Sequence, residues 1–201
     1  MKLYGIDGCK DGCWVVAEAD KPDAQPTFRV VQSGKLGPIF REAKRGEALV
    51  VIDIPIGLPE SGPRPCDQAA RKIVGGKRAS SVFPVPCRAA LSADGERASE
   101  INFRKTGKRL SKQSQAILER IKEVDQLMTP ELQAHVREGH PEVIFAVLNG
   151  WRPLKHRKKS KAGETERLRL LRKVGIEIDS SHERKPHAPT VGRDDIIDAA
   201  A

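Results

Sequence analysis

The sequence predicts an α/β fold built on a mixed sheet, and three features predict it. The stretch from Lys2 to Gln32 reads as three strands joined by tight turns. A short amphipathic segment then leads into Leu49-Val50-Val51-Ile52, an apolar and largely β-branched run that reads as a buried strand returning beside the first. Both that run and the first strand end on the same dipeptide, Ile6-Asp7 and Ile52-Asp53. Two strands that each deliver an aspartate at their C-terminal ends put both carboxylates on one edge of the sheet, where open α/β sheets bind ligands. An aspartate ending a buried strand is costly unless it is paired, hydrogen-bonded or bound to a cation. Capping a turn is the plainer explanation for each taken alone.

Taken in order, Lys2–Asp7 is the first strand and Gly8-Cys9-Lys10-Asp11-Gly12 is turn chemistry. Cys13–Glu18 is the second strand, Pro22 and Pro26 bound another turn, and Thr27–Gln32 alternates as the third. Leu36–Arg45 predicts a helix with Leu36, Ile39, Phe40 and Ala43 on one face, stopped by Gly46. After Asp53, Pro55, Gly57 and Pro59 forbid a regular ladder. The chain reads as a single domain, 1–201, with an insertion at about 60–130. Within it, Glu60–Leu91 is Pro-rich, basic and irregular, with a helical piece from about Asp67 to Val74. It is expected to lie over the sheet edge that carries the aspartates, since long irregular segments tend to be binding loops.

Helices follow from about Gly95 to Lys105 and from Ser111, an N-cap, to Met128. Gln133–Glu138 predicts a fifth strand, and His140-Pro141-Glu142 opens a helix that runs to Leu148. Another helix is expected from about Glu164 to Lys173, then loop from Ser180 to Thr190. Asp194-Asp195-Ile196-Ile197-Asp198 starts a final helix whose early aspartates suit its dipole. Residues one apart on a helix diverge by about 100°, so Asp195 and Asp198 are expected to face the sheet and Asp194 to cap.

Composition narrows the function. With 201 residues, 38% of them hydrophobic, the chain can bury a full core. Aromatic residues are 4%, which argues against a surface stacking successive bases. No apolar run approaches the roughly 18 residues of a membrane span. The first apolar run carries Gly5 and Asp7, unlike a secretory signal, so a cytoplasmic location is expected. The net charge of +9 favours a polyanionic partner, usually nucleic acid. Its positive charge is concentrated in Arg152-Pro153-Leu154-Lys155-His156-Arg157-Lys158-Lys159-Ser160-Lys161. Lys158, Lys159 and Lys161, with Arg88 from the insertion, are the candidate phosphate contacts, giving affinity without sequence reading. The plainer alternative is a solvated loop. Cys9, Cys13, Cys66 and Cys87 form no CxxC pair, which disfavours four-thiolate zinc and leaves reduced, unpaired thiols as the expectation.

Asp7, Asp53 and the Asp194/Asp195/Asp198 group come from the start, middle and end of the chain. Brought together beside a basic surface, they suit hard divalent cations, which prefer oxygen ligands. Two such ions about 3.5–4 Å apart clamp a phosphodiester and generate the attacking hydroxide.

Gly5-Ile6-Asp7-Gly8-Cys9-Lys10, Asp53-Ile54-Pro55-Ile56-Gly57-Leu58-Pro59, Arg64-Pro65-Cys66-Asp67 and Ser80-Ser81-Val82-Phe83-Pro84-Val85-Pro86-Cys87-Arg88 follow one another along the chain. With Leu110-Ser111-Lys112-Gln113, His140-Pro141-Glu142 and Asp194-Asp195-Ile196-Ile197-Asp198-Ala199, they make the chain resemble the domain of unknown function 429 family, labelled a predicted ribonuclease H-like nuclease. The resemblance implies a ribonuclease H-like fold, a five-stranded mixed sheet with the first three strands antiparallel, flanked by helices. It further implies a metal-dependent phosphodiesterase acting on nucleic acid, with Mg²⁺ or Mn²⁺ as cofactor. Asp7, Asp53 and Asp195 match the ligand positions, Asp198 or Asp194 stand as substitutes, and Glu142 or Glu138 is a further ligand or base. The alternatives are a nucleic-acid-binding module without catalysis and a nucleotide- or phosphate-binding protein on the same sheet. Asp11 stands where a glycine is more usual in this family.

Overall fold

The computed structural model describes residues 1–178 and 191–201, so the loop expected at Ser180–Thr190 lies outside the described residues. Two compact units are present, Met1–Ile54 with Leu127–Ala201, and Pro55–Gln126. The first unit holds the sheet. Strands β1 (Lys2–Gly8), β2 (Cys13–Ala19), β3 (Thr27–Gln32), β4 (Ala48–Ile52) and β5 (Val136–Glu138) lie in the order β3-β2-β1-β4-β5. β1–β2 and β2–β3 are antiparallel, whereas β1–β4 and β4–β5 are parallel. This mixed order, antiparallel through the first three strands, is the one expected of the ribonuclease H-like fold.

Alternation along β1 separates two cores. Tyr4 and Ile6 face one side, where Trp14, Val16, Val50 and Ile52 are also buried. Helix α1 (Gly37–Lys44) packs on β4, burying Leu36, Ile39, Phe40 and Ala43 as the periodicity requires. Gly5 and Asp7 face the other side. There Val15, Ala17 and Phe28 share a core with Phe145, Leu170, Leu171, Ile196 and Ile197 from three helices. β2 is buried from Cys13 to Ala17 because it is covered on both faces.

Several features differ from the sequence expectation. Cys9 and Cys13 are joined as a disulfide rather than free. The Cys9 N–H donates to the Cys13 carbonyl at 2.9 Å, closing the turn and holding the two Cα atoms 5.2 Å apart. Within that turn Asp11 has φ +56°, left-handed geometry that favours glycine, which explains why a glycine is the easier residue there. The fifth strand is shorter than expected, because a 3₁₀ turn at Glu131–Ala134 buries Leu132 and leaves only Val136–Glu138 to pair with β4.

The second unit contains α2 (Pro65–Val74), α3 (Gly95–Thr106), α4 (Lys112–Ala116) and most of α5 (Leu118–Leu127). Ile117, at φ −106° and ψ 7°, leaves helical geometry and splits the single helix expected at Ser111–Met128. Several motif residues hold this unit together. Arg64 and Asp67 form a buried ion pair at 2.6 Å, the Cys87 N–H donates to Asn102 Oδ1 at 2.8 Å, and Ser111 caps α4 by accepting from Ser114 N–H at 3.0 Å. In the first unit, α6 (Pro141–Leu148) and α7 (Lys161–Lys173) follow β5. α7 starts three residues before the expected Glu164, because the Ser160 hydroxyl accepts from Gly163 N–H at 3.1 Å. α8 (Arg193–Ala199) closes the chain. Among the described residues, no helix is long and apolar enough to cross a membrane.

Candidate metal centre

Asp7 and Asp53 stand one step past the Ile6–Ile52 pair on adjacent parallel strands. The ladder fixes both. Asp53 N–H donates to the Ile6 carbonyl at 2.9 Å, and Gly139 N–H donates to the Ile52 carbonyl at 3.0 Å from the β5 side. Asp7 Oδ1 accepts from Gly8 N–H at 2.9 Å, so the same residue opens the turn and faces the site.

The third contributor, α8, reaches the strand ends because of a glycine. A Cβ on Gly5 would lie 1.9 Å from the Ala199 carbonyl oxygen, so only glycine on β1 lets the helix rest directly on the strand. That close approach brings Asp198 and Asp195 into the electrostatic neighbourhood of Asp7. Asp7 and Asp198 are buried, while Asp53, Asp194 and Asp195 are partly exposed.

The carboxylates disturb one another. Burial lifts the Asp7 carboxyl well above the usual range, and Asp53, Asp198 and Asp195 push the same way against Lys158. Asp53 is raised to about 6, first by burial; His140 and Lys158 oppose the shift, and Asp198 and Glu138 add to it. Burial also raises Asp198 and Asp195, opposed chiefly by Lys158 for the former and by the Gly192 N–H for the latter. Grouped carboxyls with raised proton affinity are the electrostatic signature of a site short of positive charge.

Lys158 supplies part of that charge. Its ammonium lies 2.5 Å from Asp198 Oδ2 and 3.5 Å from Asp194 Oδ2. Burial works against the lysine's charge, but Asp198, Asp7 and Asp194 outweigh it and hold the ammonium protonated more firmly than an ordinary lysine. Lys158 thus belongs to the acidic site rather than to a phosphate-binding strip.

The remaining candidates divide. Asp195, not Asp194, makes the capping bond, accepting from Gly192 N–H at 2.8 Å, while Asp194 turns toward Lys158. Glu142 pairs with Arg167, a fully buried arginine that also donates to the Gly163 carbonyl at 3.1 Å and stacks over the Phe145 ring. That pair ties α6 to α7 and makes Glu142 a structural partner. Glu138 is exposed at the end of β5. Lys159 and Lys161 are exposed, and Arg88, in the second unit, pairs with Asp125 at 2.8 Å.

Gly5 and Arg167 escaped the sequence reading, which took Lys158 for a phosphate contact rather than the partner of Asp198. A glycine inside an otherwise apolar strand is the signal for Gly5. Nothing in the linear pattern distinguishes Lys158 from its neighbours.

The donor set of four carboxylates, rich in hard oxygen and two of them buried beside one ammonium, has the chemistry a divalent cation requires. Among the described residues no three of these side chains converge on a single cation position, and the ammonium of Lys158 is the cation the fold provides. A family model described as "Protein of unknown function (DUF429)" matches residues 5–201. No curated protein and no solved structure matches the chain.

Proposed function

The chain belongs to the DUF429 family, whose description assigns no activity, and we propose from its own residues that it is a divalent-metal-dependent phosphodiesterase acting on nucleic acid. The observation that carries this reading is that Asp7 and Asp53 end adjacent parallel strands, with the helix that bears Asp195 and Asp198 resting directly on β1 at Gly5. Mg²⁺ or Mn²⁺ held there would polarise a phosphoryl oxygen and lower the pKa of a bound water.

The protein's own groups have separate tasks. Asp7 and Asp53, fixed by the ladder, would hold the cation. Asp198, paired with Lys158, and Asp195, which accepts from Gly192 N–H, are the helix carboxylates that would complete the set. Lys158 balances the cluster beforehand, which limits the cost of burying several carboxylates. Glu142 and Arg167 tie α6 to α7 and place opposing charges near Asp198.

A nucleic-acid-binding module without catalysis is the competing reading, favoured by the Lys158–Asp198 pair, which balances the cluster without a metal. Incubation with labelled single- and double-stranded DNA and RNA under Mg²⁺ and Mn²⁺ separates the two. The phosphodiesterase is expected to cleave at least one substrate, with cleavage lost in Asp7→Asn and Asp53→Asn while binding persists. Binding by the wild type with no cleavage of any substrate under either metal would select the module.

A further inference from the structure

An open groove of about 1180 Å³ runs along α7, walled on its other side by the segment that leaves α6. Arg152, Lys155, Lys161, Arg169 and Lys173 line it, all five exposed. None of the five forms an ion pair among the described residues, whereas Lys158 and Arg167 nearby are committed to carboxylates. Glu166 also lines the groove, but it accepts from the backbone N–H groups of Lys155 at 3.0 Å and His156 at 3.1 Å. It shapes the wall as well as adding its charge.

This wall is built, not a solvated run. Leu154 is buried in the core and anchors the strip between Arg152 and Lys155. Arg152 N–H donates to the Ala146 carbonyl at 3.2 Å. The Arg157 carbonyl oxygen lies 2.0 Å from where a Cβ on Gly163 would be, so the strip rests on the first turn of α7 at a point only glycine permits. The backbone that carries Arg152 and Lys155 is therefore held in place before any ligand arrives, which lowers the ordering cost of binding.

Trp151 sits at the rim, between Gly150 and Arg152, which both line the groove. It is 66% exposed and has φ +60°. Left-handed geometry is unfavourable for an L-residue, and neither core packing nor backbone conformation favours tryptophan there. An exposed indole beside a row of cations has the chemistry to stack on a nucleobase while the row follows phosphates.

We infer that this groove binds single-stranded nucleic acid, with the phosphate backbone on the five cations and one unpaired base stacked on Trp151. A duplex keeps its bases stacked internally and leaves the indole unused; a polyanion without bases engages the cations alone. The low aromatic content is consistent with one stacked base rather than a series. The inference rests on the phosphodiesterase reading for its consequence alone: a strand bound in the groove would be the substrate which that reading requires.

The test uses the full chain in EDTA, where metal-dependent cleavage does not contribute. Short single-stranded DNA and RNA, the corresponding duplexes, and inorganic polyphosphate are titrated while tryptophan fluorescence is followed. Trp14 is fully buried, so quenching reports Trp151. A single strand of DNA, RNA or both is expected to quench, with log affinity falling against log salt at a slope of about −3.5 for five phosphate contacts. Trp151→Ala should weaken that binding about tenfold and leave polyphosphate binding unchanged, while Trp151→Phe retains most of the affinity. The triple substitution Lys155→Gln, Lys161→Gln, Arg169→Gln should flatten the slope by about 2. Circular dichroism checks that each variant is folded. Equal affinity for single strand, duplex and polyphosphate, or an affinity indifferent to both Trp151→Ala and the triple substitution, overturns the inference. Cleavage without this binding refutes the groove alone, and this binding without cleavage refutes the phosphodiesterase alone.

Discussion

Asp53→Asn isolates the electrostatic cost of the carboxylate cluster. In the folded chain Asp53 is raised from 3.8 to about 6. At about 1.36 kcal/mol per pKa unit this is about 3 kcal/mol, an upper bound because the side chain keeps some solvent access. The sign follows from linkage. The folded state holds this proton more tightly than the unfolded chain, so the stability it contributes is intact below pH 3.8 and is lost as pH rises to about 6. Above that, the wild type carries the full penalty of a buried, crowded charge, which asparagine lacks. The variant should match the wild type near pH 4 and gain up to about 3 kcal/mol at pH 8. For a chain of this length that corresponds to a rise of about 6–12 °C in Tm. Thermal unfolding by circular dichroism in EDTA from pH 4 to pH 8 measures it. A Tm difference that is constant with pH, or a variant less stable at pH 8, would refute the reasoning.

Other substitutions probe the parts that assemble the site. Lys158→Met leaves Asp198 and Asp194 facing each other without an ammonium; it should cost about 2 kcal/mol in EDTA at pH 8 and tighten Mn²⁺ binding, and denaturant unfolding with and without Mn²⁺ would expose weaker metal binding as the contrary result. Gly5→Ala forces α8 off β1, because its Cβ would meet the Ala199 carbonyl; a loss of about 2–3 kcal/mol in denaturant unfolding is expected, and an unchanged midpoint would contradict the close approach. Glu142→Ala strands the buried Arg167 and should cost about 3 kcal/mol while leaving Mn²⁺ affinity unchanged; a variant of normal stability that no longer binds Mn²⁺ would return Glu142 to the site.

How far the sequence foretold this molecule depends on the range of the interaction involved. The strands and α1 follow from local alternation, turn residues and helical periodicity, and Asp7 and Asp53 meet because register carries both dipeptides to the same height on adjacent parallel strands. Helical spacing also placed Asp198 on the inward face of α8. What escaped depends on three-dimensional proximity. Lys158 is one of several neighbouring cations in the sequence, and only the packing of its loop on α7 directs its ammonium to Asp198. Asp194 and Asp195 exchange their expected tasks because Gly192 N–H is within reach of Asp195. The Cys9–Cys13 pair depends on the backbone bond that closes the turn, which spacing alone does not reveal.

The central claim, that Asp7 and its neighbours hold a divalent cation, is tested most directly by calorimetric titration of Mn²⁺ into the wild type and into Asp7→Asn at pH 8. The wild type is expected to bind the ion, and Asp7→Asn is expected to lose that binding while remaining folded. Binding of equal strength in both proteins, or none in the wild type, would contradict it.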